Sequence, residues 1–115
     1  MSGVSEAADV TIAKHGDDVT ITCAGALDFT NTSEFSRELR SAAVAADSVT
    51  VDLRGASFID TAVLECLARA GKAMMDRRKT LGVVCAENSH PLRVLRISGF
   101  EQLLEIQIAA REKQA

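Results

Sequence analysis

Ser57 to Leu67 reads SFIDTAVLECL and sets a carboxylate, Asp60, beside a hydroxyl, Thr61, where an apolar strand gives way to an apolar helix. A helix start leaves amide donors without intrahelical partners and carries the positive end of the helix dipole. A side-chain oxygen from Asp60 or Thr61 caps such a start, and the same amides suit a phosphate. A hydroxyl there is well placed for phosphorylation, which adds roughly −1.5 to −2 charge beside Asp60 and changes how that surface meets a partner.

The other reactive side chains are less suggestive. His15 falls in a predicted turn and His90 at a predicted helix start, and neither has a Cys, Asp or Ser at a spacing that suggests a nucleophile and its base. The phosphate-loop pattern G-x-x-x-x-G-K-[ST] is absent, so a phosphate cradle would have to come from the helix start alone. Cys23, Cys66 and Cys85 are odd in number, widely spaced and set in apolar surroundings. They read as buried reduced thiols rather than a disulfide framework or a metal site, and a redox role would fall to Cys66. The expectation is a protein that is not an enzyme and needs no cofactor or metal.

Composition narrows the partners. With 115 residues, 47% hydrophobic residues and one proline, the chain is read as a single domain, 1–115, with residues 1–8 a flexible leader. Its formal net charge of −3 and scattered basic residues give no footprint for nucleic acid or an anionic membrane surface. No stretch approaches the roughly 18 apolar residues of a membrane span, and the N-terminus lacks a signal pattern, which predicts a cytoplasmic location without direct membrane insertion. Four Phe with no Tyr and no Trp leave almost no platform for stacking bases or sugars. A protein partner or a small ligand is what remains.

The elements that must hold the Asp60–Thr61 junction follow from periodicity. VTIAKHGDDVTITCAGAL alternates around His15-Gly16-Asp17-Asp18 and predicts a β-hairpin. In NTSEFSRELRSAAVAA the apolar positions Phe35, Leu39, Ala42, Ala43 and Ala46 share a helical face, and Asn31 with Glu34 has capping-box spacing. SVTVDL predicts a central buried strand. From Thr61 to about Arg77, Leu64, Leu67, Ala70, Gly71, Met74 and Met75 keep helical spacing, and Arg77-Arg78-Lys79 reads as a solvated helix end. TLGVVCA is a further strand. Ser89 or His90 then caps a helix that begins with Pro91 at its first position and is stopped by Gly99, and QLLEIQI is the last strand, its Leu103, Leu104 and Ile106 in the core. The order is β-β-α-β-α-β-α-β, an α/β fold with a mixed sheet of about five strands and about three helices packed against it.

From the opening hairpin to the last strand the chain resembles the STAS domains of anti-sigma factor antagonists. Three marks carry the likeness: F-I-D, a hydroxyl residue and Leu64 in the first helical turn; GALD, Gly25 to Asp28, before the first helix; and SGF, Ser98 to Phe100, before the last strand. The resemblance implies partner switching: the domain binds a kinase-like anti-sigma factor of the histidine-kinase-like ATPase class, frees a sigma factor, and is released when a hydroxyl on it is phosphorylated. It also implies a partner-binding surface of Asp28, Asp60, Thr61, Ala62 and Val63, with Val63 enlarging the apolar centre of the patch. The family's usual acceptor is the second residue after the Asp, which here is Ala62, without a hydroxyl. Thr61 stands one position early as the possible acceptor, and Val63 replaces the customary glycine. D-T-A also resembles the STAS subunit that supports the ATPase of bacterial lipid-asymmetry ABC transporters, and this alternative stays open.

Overall fold

The computed structural model describes residues 9–28 and 30–110; the expected leader, residues 1–8, lies outside them. These residues form strands β1 (Asp9–His15), β2 (Asp18–Leu27), β3 (Ser48–Ile59), β4 (Leu81–Ala86) and β5 (Leu104–Ala109). Between them stand helices α1 (Ser33–Ala45), α2 (Thr61–Asp76) and α3 (His90–Ile97), with a 3-10 turn at Phe100–Gln102. The predicted element order holds. The strands lie in the sheet in chain order, β1 antiparallel to β2 and all later neighbours parallel. The predicted hairpin closes through Gly16 and Asp17, with Gly16 at φ +63°, a conformation that glycine adopts without a side-chain clash.

Alternation decides which face of the sheet is covered. Val19, Ile21 and Cys23 on β2, Val49, Val51 and Leu53 on β3, and Leu81, Val83 and Cys85 on β4 are buried, whereas Thr20, Thr22, Thr50 and Asp52 between them are not. The buried set joins Phe35, Leu39, Ala42 and Ala43 of α1, Val63, Leu67, Ala70 and Met74 of α2, and Leu92 and Leu95 of α3 in one core. On α2 the register differs slightly from the expected one: Val63 is fully buried, Leu64 only partly so, and Met75 is 48% exposed. With 3.6 residues per turn, the stripe through Val63, Leu67, Ala70 and Met74 faces the sheet and turns Met75 out to the flank.

Leu67 is 0% exposed at the middle of this stripe. Leu67→Ala should therefore cost about 2 to 5 kcal/mol through lost burial and a residual cavity. Urea unfolding reads this directly, and a loss below about 0.5 kcal/mol would place the side chain outside the core. Gly71, one turn on, lets the helix approach the last strand closely: a Cβ there would lie 2.9 Å from Leu104 Cδ2 and 3.0 Å from the Leu103 carbonyl oxygen.

Two local expectations are corrected. Asn31 does not cap α1. Thr32 holds the cap position without a side-chain cap bond, while Asn31 Oδ1 accepts from the Asp28 N–H and its Nδ2 donates to the Ala26 carbonyl. Arg77 is not merely solvated, because its Nη1 donates to the carbonyls of Ala43 and Ala46, each at 2.9 Å, tying the end of α2 to the end of α1. Lys79 adds an ion pair to Asp47 at 3.4 Å, exposed and so worth little.

Candidate functional site

β2 and β3 set up the site by ending together. Their register pairs Leu27 with Ile59, so Asp28 and Asp60 follow from neighbouring positions at the carboxyl ends of adjacent parallel strands. Strands in a sheet are about 4.8 Å apart, which brings the loop before α1 and the start of α2 to one corner. The pairing reaches this end only through two irregularities, one between Thr22 and Ala24 and one between Gly25 and Ala26. At each, β3 carries one residue more than β2, and the burial along β3 falls out of alternation after Leu53.

Each side of the corner is fixed by its own hydrogen bonds. Asp60 is extended, φ −107° and ψ −174°, and its Oδ1 accepts from the Val63 N–H at 3.2 Å, while its carbonyl accepts from the Leu64 N–H at 3.1 Å. Asp60 alone is the cap given by this geometry; Thr61 is the first helical residue and is exposed. Across the corner the backbone N–H and the hydroxyl of Thr30 both donate to Asp28 Oδ1. That hydroxyl first, then the amide, hold the Asp28 carboxyl below the usual carboxylate range. Asp28 is therefore an anion at neutral pH.

Ala62 is half-buried behind Thr61, and Val63 is 0% exposed. The expectation that Val63 enlarges an apolar surface patch is therefore corrected. The first turn of α2 lays its third residue against the sheet, and the valine side chain fills core space where the customary glycine would leave room.

Two residues at this end of the sheet make contacts that the sequence reading did not foresee. His90 opens α3, and its Nδ1 accepts from the N–H of Ile59 at 3.3 Å, one residue before Asp60. The same ring stacks on Phe58, with centroids 4.7 Å apart and planes at 25°. The cap of α3 is Ser89, whose hydroxyl oxygen accepts from the Leu92 N–H at 3.3 Å, and this frees the imidazole for the strand end. Phe58 is 41% exposed, so the pair leaves an aromatic edge open to solvent two residues before Asp60.

The cysteines lie elsewhere. Burial, with a contribution from Asp52, pushes the Cys23 thiol up to about 12. Burial pushes Cys85 up to about 11, with Asp52 adding and Arg96 opposing. Neither supplies a thiolate near neutral pH. Cys66 is half-buried in a furrow between α1 and α2. Among the described residues no group of His, Cys, Asp and Glu could hold a metal ion, and no helix is long and apolar enough to cross a membrane.

Comparison with known proteins gives a consistent picture of the fold. The sequence model of the family described as "Mlab, STAS domain" matches residues 10–105. An anti-sigma factor antagonist from Mycobacterium paratuberculosis superposes with a TM-score of 0.79 at 13% identity, over 92% of this chain and 90% of that one. The Bacillus cell fate determinant SpoIIAA in its phosphorylated form superposes with a TM-score of 0.68 at 15% identity, over 88% of this chain and 91% of that one. At these identities the likeness of the solved structures is one of fold. No curated protein matches the sequence.

Proposed function

The chain belongs to the STAS domain family, and from that premise we propose that it is an anti-sigma factor antagonist. It binds a kinase-like anti-sigma factor of the histidine-kinase-like ATPase class in the cytoplasm and so frees a sigma factor, acting as a binder and not as an enzyme. The observation that carries this reading is the corner itself: β2 and β3 end in register, so that Asp28 and Asp60 follow at neighbouring strand ends with the exposed Thr61 next in the chain. The partner surface comprises Asp28, Asp60, Thr61 and Ala62, backed by Val63 from the core. The fold shared with an anti-sigma factor antagonist supports the assignment of partner. Ala62 stands where the family's acceptor hydroxyl would be, so release does not proceed by the usual serine phosphorylation.

A second reading keeps the same surface and changes the partner. The Mlab description of the matching family and the D-T-A at residues 60–62 favour a STAS subunit that binds the ATPase of a lipid-asymmetry ABC transporter. Affinity capture from the native host separates the two, since a histidine-kinase-like ATPase supports sigma control and a transporter ATPase supports the alternative. Thr61→Arg should then weaken binding of the captured ATPase by about tenfold or more, because it drives a large cation into the centre of the contact without touching the core. Calorimetric titration of purified partner checks this. Unchanged affinity of the folded variant would move the interface away from the corner.

A further inference from the structure

Outside this corner, α1 and α2 enclose a furrow of about 220 Å³. Its floor and sides are Leu39, Ala43, Cys66, Ala70 and Ala73, with Val44 62% exposed at one end. The two helices run the same way, as successive crossovers between parallel strands must, and Arg77 joins their final turns. Arg40 and Arg69, which also line the furrow, stand almost equally far from the helix starts at Ser33 and Thr61. One guanidinium therefore comes to the furrow from each of its two walls. Among the described residues neither makes a hydrogen bond or an ion pair, although the chain carries more acidic than basic residues. Even Glu65, one turn before Arg69 on the same helix, forms no ion pair with it.

An apolar trough flanked by two unpaired guanidinium groups matches a ligand with an apolar tail and an oxyanion head. We propose that this furrow binds a single-chain anionic amphiphile, its acyl chain along the alanines and its head held by Arg40 and Arg69. A carboxylate or a phosphate head meets the planar donor fork of arginine equally well. Since a cavity of about 150 Å³ takes up benzene, this furrow suits a chain of about eight carbons. The inference does not depend on the identity of the protein partner.

Cys66 supplies the readout, because it lies in the furrow while Cys23 and Cys85 are buried. The intact protein is titrated with sodium octanoate, octyl phosphate, 1-octanol and acetate, below any micelle-forming concentration, while alkylation of Cys66 by iodoacetamide is followed by mass spectrometry. Octanoate or octyl phosphate should protect Cys66 saturably, and the tighter of the two identifies the head group. Octanol should bind about tenfold more weakly or worse, as expected when charge-assisted hydrogen bonds are lost. Acetate should give no protection. Replacing both rim residues, Arg40→Gln with Arg69→Gln, should weaken octanoate by at least the same factor, and these exposed positions leave the core intact. Equal protection by octanol, an undiminished effect in the double variant, or no protection by either anion would overturn the proposal.

Discussion

Val63→Asp should leave the protein largely unfolded under conditions where Val63→Ala remains native. The side chain is 0% exposed and belongs to the same buried cluster as Leu67 and Val83. Removing it forfeits about 1.5 to 3 kcal/mol of apolar burial. The aspartate must then either keep its charge in the core, at several kcal/mol, or take up a proton and leave a polar carboxyl among aliphatic groups. A carboxylate in the first turn gains only about 0.3 to 1 kcal/mol from the helix dipole, which does not offset either cost. The sum comes to about 5 kcal/mol, as large as the lower part of the about 5 to 15 kcal/mol of total stability of a domain of this kind. Val63→Ala loses only about 1 to 3 kcal/mol and is the control for a cavity without a charge. Far-ultraviolet circular dichroism and the urea midpoint decide the matter. A Val63→Asp protein with the parental midpoint would put residue 63 back on the surface, where the family likeness alone had set it.

That correction shows where the sequence was legible and where it stopped. Period 2 in β1, β2 and the first half of β3, and period 3.6 in α1 and α2, are properties of single segments, and both elements and order could be read from them. Asp60 as a cap was equally local, because a cap bonds within its own first turn. The second half of β3 was missed because its two extra residues break alternation, leaving Ala56 and Ile59 buried three apart. Val63 was misplaced because the motif locates the corner but not which way the third helical residue turns; that follows from how α2 lies on the sheet. Arg77 and His90 were read as a helix end and a cap candidate since their partners, Ala43, Ala46 and Ile59, are more than thirty residues away. Long-range bonds of this kind leave no spacing to recognise. The Asp28–Asp60 juxtaposition, by contrast, needed only the family marks and is consistent with the paired strand ends.

On the proposed reading, phosphoryl transfer at the corner turns on a single methyl group. If the partner is an anti-sigma kinase, Ala62→Ser should convert a protein that is not phosphorylated, or only slowly so, into one that takes up phosphate rapidly and stoichiometrically at residue 62. Thr61 already offers an exposed hydroxyl as the first residue of α2, so exposure alone is not the obstacle. One step along a helix rotates a side chain by about 100°, and a hydroxyl on residue 61 points well away from one on residue 62. Phosphoryl transfer needs the attacking oxygen in line with the leaving group, and a misplacement of about 1 Å can cost a factor of about 100 in rate. A partner that docks on Asp28 and Asp60 holds both positions in one fixed frame, so it cannot serve residues 61 and 62 equally. The serine adds one oxygen at a half-buried first-turn position and leaves Val63 and the Asp60 cap in place, so the fold should be unaffected. Incubation of both proteins with the captured kinase and ATP, followed by mass spectrometric mapping, compares the two rates directly. Rapid stoichiometric phosphate on Thr61 of the natural sequence would sink this account. Phosphate confined to position 62 of the Ala62→Ser variant, with a rate gain of about 100-fold or more, would mean that the natural protein keeps the binding half of the family's cycle and that its release from the partner is controlled by something other than its own phosphorylation.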